Sequence, residues 1–96
     1  MLKAKHLEIQ GLVQGVRYRD TMKEQATRLQ VTGWVRNKKN GSVEAFVQGT
    51  DENIQSLLDW CKKGPNRARV EKIVIADAPT NQTFIDFRRL PSEGET

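Results

Sequence analysis

The stretch Gly11-Leu12-Val13-Gln14-Gly15-Val16-Arg17-Tyr18-Arg19 separates two kinds of periodicity. Upstream, Leu7 and Ile9 alternate with His6, Glu8 and Gln10, the period-two pattern of a strand with one buried and one wet face. Downstream, Tyr18, Met22, Ala26 and Leu29 recur about once per helical turn while Arg17, Lys23, Glu24 and Arg28 stay polar, which predicts an amphipathic helix over 18–29. Asp20 and Glu24 stand early in it, as the helix dipole prefers. The quoted stretch is therefore a strand-to-helix turn. Its two glycines let the backbone turn sharply and approach a ligand closely.

The pattern continues outward. Val31, Gly33 and Val35 alternate with Thr32, Trp34 and Arg36, and Val43, Ala45 and Val47 with Glu44, Phe46 and Gln48. Between these runs, Asn37-Lys38-Lys39-Asn40-Gly41 is a turn signal, so the two form a β-hairpin. Thr50 or Asp51 caps a second helix whose Ile54, Leu57, Leu58 and Cys61 fall at i, i+3, i+4 and i+7, and Gly64-Pro65-Asn66 ends it. Val70–Ala76 and Phe84–Arg88 supply two last strand-like runs, separated by Pro79, Thr80 and Asn81. Two interleaved β-α-β units with right-handed crossovers predict an α+β fold of the ferredoxin-like, split βαβ kind (βαββαβ), with an antiparallel sheet and both helices on one face. Residues 1–90 make one domain, and residues 91–96 are expected to be a flexible tail.

Composition narrows the class. Ninety-six residues, 36% hydrophobic and 29% charged, fit one small domain that is neither disordered nor membrane-embedded. No apolar run approaches the roughly 20 residues of a spanning helix, and Met1–Gln10 lacks the apolar core of a secretory leader, so a cytoplasmic monomer is expected. The lone Cys61 forms no internal disulfide and builds no thiolate cage. Sixteen basic against twelve acidic side chains give +4, which favours anionic partners without naming one.

The turn itself suggests how an anion is held. A glycine-bracketed loop entering a helix presents successive backbone N–H groups, and the helix end adds partial positive charge. Arg19 adds a permanent planar cation suited to a bidentate grip on phosphate or carboxylate.

Val13-Gln14-Gly15-Val16-Arg17-Tyr18-Arg19, followed by Gly33-Trp34-Val35-Arg36-Asn37 and Gly41-Ser42-Val43-Glu44, resembles the two signature segments of the acylphosphatase family in type, order and spacing. The resemblance covers nearly the whole chain. The aromatic before the arginine (Tyr18) and the tryptophan after the glycine (Trp34) comply with the family pattern. It implies a phosphate cradle of backbone amides from about Leu12 to Val16, that is Leu12, Val13, Gln14, Gly15 and Val16. It also implies a substrate-binding arginine at Arg19 and a water-orienting asparagine at Asn37. Arg17 falls at a variable position and receives no role. The implied activity is hydrolysis of a small acyl phosphate to a carboxylate and inorganic phosphate, the latter also a competitive inhibitor, with no cofactor, metal or covalent intermediate.

Chemistry agrees with that implication. An acyl phosphate is an activated mixed anhydride, so its hydrolysis needs charge neutralisation and positioning more than covalent help. An amide such as Asn37 accepts from and donates to a water but is no strong base, so the proton goes to the substrate. Rival readings are weaker. Metal catalysis would have to rest on the lone His6, the lone Cys61 and scattered carboxylates without ligand spacing. His6 reads as a sheet-surface residue, Cys61 as core packing, and Glu44 as facing solvent or the hairpin. Nucleic-acid binding on this fold would use paired aromatic motifs, and Phe46 with the basic run Lys62–Lys72 does not match them. A maturation protein that keeps this fold as one of several domains without turnover is not expected from so short a chain with both Arg19 and Asn37 present.

Overall fold

The computed structural model describes residues 2–94. Its elements are β1 (Lys3–Leu12), α1 (Tyr18–Arg28), β2 (Thr32–Asn37), β3 (Val43–Gly49), α2 (Asp51–Lys63), β4 (Arg69–Asp77) and β5 (Phe87–Arg89). They form one five-stranded sheet in the order β4-β1-β3-β2-β5. This is the ferredoxin-like α+β arrangement predicted from the periodicities.

Alternation decides which face is covered. Leu7 and Ile9 of β1, Val35 of β2, and Val43, Ala45 and Val47 of β3 point to one side. There they pack with Tyr18, Met22 and Ala26 of α1 and Ile54, Leu57 and Cys61 of α2. Each large apolar side chain buried in this way contributes about 1.5–3 kcal/mol. Of the two candidate caps for α2, Thr50 fills the role, its hydroxyl accepting from the Asn53 N–H at 3.2 Å. Cys61 lies in the core as predicted, and burial pushes its thiol up to about 12. The Tyr18 hydroxyl donates to the Cys61 carbonyl at 2.6 Å, fixing α1 against α2.

Three expectations need correction. The sheet is mixed: four strands are antiparallel, but β5 runs parallel to β2, Gly33 opposite Phe87 and Val35 opposite Arg89. The cause is topological. β4 ends opposite Lys5, at the end of the sheet where β2 begins, so a chain crossing along that end enters β5 in the direction of β2. The last strand is also only Phe87–Arg89 and not Phe84–Arg88. Phe84 belongs to the crossover, where its ring meets Phe46 on the open face at 5.3 Å while Phe87 enters the core.

Glu44 is the third. It does not face solvent: the residue is 9% exposed, and its carboxylate accepts from His6 Nε2 and Arg36 Nε, each at 2.6 Å. Burial alone would raise its pKa, but the bonds from His6 and Arg36 outweigh this and hold the carboxyl below its ordinary range. His6 is accordingly a sheet-surface residue with a structural partner.

Candidate active site

The loop after β1 begins with a bulge. Register against β4 shifts between Gln10 and Gly11, and Gly11 adopts φ 127°, where an added Cβ would strike the Arg69 backbone carbonyl. This glycine therefore serves the close approach of β4, not of a ligand. Beyond it the Leu12 side chain is exposed, whereas Val13 is 1% exposed and anchors the loop in the core. Gly15 at φ 75° and Arg17 at φ 63° then turn the chain into α1. No backbone carbonyl among the described residues accepts from the N–H groups of Gln14, Gly15, Val16 or Arg17. Of these residues Gly15 and Arg17, with the uncapped first turn of α1, line a positive concavity.

Arg19 and Asn37 meet across this concavity. With Val13 and Gly15 they line a cavity of about 280 Å³ between the loop and the end of β2. Arg19 Nη1 donates to the Leu90 carbonyl at 3.0 Å, which fixes the guanidinium from behind. Asn37 is the last residue of β2, and its buried Oδ1 has no hydrogen-bond partner among the described residues. A buried acceptor left unbonded is costly, and the residue that carries it lines the same cavity as Arg19 and Gly15.

The remaining cradle residues do not line the cavity. Leu12 ends β1 and pairs with Arg69. Val16 packs against the core. Gln14 turns its side chain away, and its Nε2 donates to the carbonyls of Lys38 at 2.7 Å and Ser42 at 2.8 Å. The loop is thereby tied to the hairpin that carries Asn37.

Three contributors were not legible as site residues. Arg17, Asp20 and Arg89 also line the cavity, and Arg89 pairs with Asp20 at 3.2 Å. Three guanidinium groups against one carboxylate leave the cavity strongly positive. Arg89 gives no local signal, because only the parallel pairing of β5 with β2 brings it there. A larger groove of about 780 Å³ between α1 and β5 shares Arg89 but is lined by neither Arg19 nor Asn37. Among the described residues, no group of three or more His, Cys, Asp or Glu could hold a metal ion, and no helix is long and apolar enough to cross a membrane.

The acylphosphatase family model matches residues 5–89, nearly the whole chain. The chain belongs to the acylphosphatase family. It is 53% identical over 75 residues to an acylphosphatase of Acidovorax sp. (strain JS42), covering 78% of this chain and 77% of that one. Against an acylphosphatase of Syntrophus aciditrophicus (strain SB) the identity is 41% over 93 residues, 97% of either chain. The solved structure of an acylphosphatase from Coxiella burnetii superposes with a TM-score of 0.88 at 32% identity, covering 93% of each chain. The resemblance read from the two sequence segments is thus shown at the level of the acylphosphatase family. The family match ends at Arg89, so Leu90 and the residues after it lie beyond the matched core.

Proposed function

We propose that the chain hydrolyses acyl phosphates at this cavity. The single observation that carries the reading is that Asn37, whose buried Oδ1 is unbonded, lines one cavity together with Arg19 and Gly15 of the loop. In this reading the phosphoryl oxygens rest on the backbone amides of the loop between Leu12 and Val16, and Arg19 neutralises the charge that redistributes in the transition state. One well-aimed donor of this kind is worth about 3–4 kcal/mol. Asn37 accepts from a water through Oδ1 and holds it in line with the phosphorus–oxygen bond to the acyl group. That oxygen attacks phosphorus, the bond to the acyl oxygen breaks, and its electron pair leaves on the carboxylate. The water proton passes to a phosphoryl oxygen, since an amide does not take it, so R-CO-OPO₃²⁻ and water give R-COO⁻ and H₂PO₄⁻. No side chain is covalently modified and no metal or cofactor takes part.

The reading extends to the partners. The substrate is a small acyl phosphate, and inorganic phosphate, which fits the same cradle, competes with it. A monomer is proposed from the size and charge of the chain, and a cytoplasmic setting from its single cysteine, the buried free thiol of Cys61.

Loss of benzoyl phosphate, followed by ultraviolet absorbance with excess chelator, tests the assignment. Rapid hydrolysis by the parent that collapses in Asn37→Ala is the expected result. Absence of hydrolysis by the folded parent overturns it, and so does near-parent turnover in the variant.

A further inference from the structure

β5 ends at Arg89, but its alignment with β2 does not stop there. The Leu90 N–H donates to the Val35 carbonyl at 2.8 Å, and past Pro91 the Glu93 N–H donates to the Asn37 carbonyl at 2.7 Å. The Glu93 side chain then accepts at Oε1 from the Lys39 N–H at 2.9 Å. Glu93 is half-buried, and the backbone beside it at Gly94 lies so close to the Lys39 side chain that an added Cβ would approach Cε to 2.7 Å. One residue outside the family match thus holds the peptide units on both sides of Lys38, the first being that of Asn37.

We infer that Glu93 is a positioning residue for Asn37, an inference that rests on the proposed hydrolysis of acyl phosphates. Glu93 touches no substrate; it acts by fixing the backbone from which the Asn37 amide is aimed. The need for such a hold is physical. Asn37 is the last residue of its strand, where backbone pairing is weakest and local opening is easiest. A misplacement of about 1 Å in a positioned reactant costs up to roughly a hundredfold in rate. Gln14 holds the same turn from the other side, at the Lys38 and Ser42 carbonyls. Glu93 supplies the complementary hold on Asn37 and Lys39, and removal of one of the two loosens the turn without releasing it.

The test compares benzoyl phosphate kinetics, inhibition by inorganic phosphate and amide exchange in the parent, Glu93→Ala, Glu93→Gln and the double variant Glu93→Ala/Asn37→Ala. Loss of the Oε1 acceptor is expected to lower kcat by about two- to tenfold, the factor that corresponds to one net hydrogen bond. The phosphate inhibition constant should stay within twofold, because the cradle is untouched. Glu93→Gln, whose Oε1 still accepts from Lys39, should keep the parent kcat. In the Asn37→Ala background Glu93→Ala should cost nothing more, the non-additivity of two residues acting through one water. The Lys39 amide should exchange faster in Glu93→Ala. A parent-like kcat in Glu93→Ala, or the same loss repeated without Asn37, overturns the positioning role alone. A parent without hydrolysis overturns the functional reading and the positioning role with it.

Discussion

Gln14 and Lys38 join the loop after β1 to the β2–β3 turn by a bond of 2.7 Å from the side-chain amide of one to the backbone carbonyl of the other. The second proton of the same nitrogen goes to Ser42 at 2.8 Å, so one side chain closes the mouth of the hairpin. Gln14→Leu removes one of two donors from each carbonyl, the backbone N–H groups of Gly41 and Lys38 remaining, and should lower unfolding stability by about 0.5–1.5 kcal/mol in a urea titration. Turnover should fall with it. A variant as stable as the parent would show that the bridge contributes nothing net.

Arg19 and Asn37 face one cavity but should fail differently. Arg19→Gln removes charge that meets phosphate in both the ground and transition states, so KM should rise and kcat fall, together by about a hundredfold to a thousandfold. Asn37→Ala should lower kcat with the phosphate inhibition constant nearly unchanged. Steady-state kinetics with phosphate as inhibitor separates the two. A large rise in that constant for Asn37→Ala would place Asn37 in phosphate binding instead.

Glu44 gives the fold an acid limit. Its folded pKa lies below the ordinary carboxylate value of about 4.3, so the unfolded chain takes up the proton first as pH falls. The stability it supplies is complete above that ordinary value and disappears as pH drops through the lower folded value. The melting temperature of Glu44→Gln should lie below that of the parent at pH 7, and the gap should narrow steadily below about pH 4. A gap independent of pH would assign the loss to packing and not to charge.

Gly11→Ala should destabilise the fold by more than the roughly 1–3 kcal/mol of a strained backbone, because the new Cβ is directed at the Arg69 carbonyl as well. The loss should appear in the unfolding midpoint, with phosphate binding by the folded fraction retained. Loss of phosphate binding at unchanged stability would return Gly11 to the ligand.

What the sequence disclosed was local. The change of period around Gly11–Arg19, the turn after Asn37 and the stripe from Ile54 to Cys61 each depend on neighbours within a few residues, and each element stands where it was predicted. Arg19 and Asn37 were legible because the two family segments hold them. What stayed hidden depended on register. Glu44 reads as an outward strand residue until His6 and Arg36 arrive beside it from the two adjacent strands. Phe84 and Phe87 looked like one strand because alternation does not reveal where a crossover ends. Glu93 lies in a polar terminal stretch that reads as a tail, and only the pairing beyond β5 ties it to Asn37. The last residues of that stretch, Glu95 and Thr96, lie outside the described residues.

The cavity has one wall from the end of β1 and the other from the end of β2, and β3 lies between those strands. The first β-α-β unit alone therefore cannot assemble it: residues 43–49 must first be threaded into the gap and paired on both sides. Such distant pairings bear their loop-closure entropy before any contact repays it, which makes them slow steps in folding. A refolding chain should regain helical circular dichroism before it regains turnover, and the delay between the two signals times the insertion of the central strand.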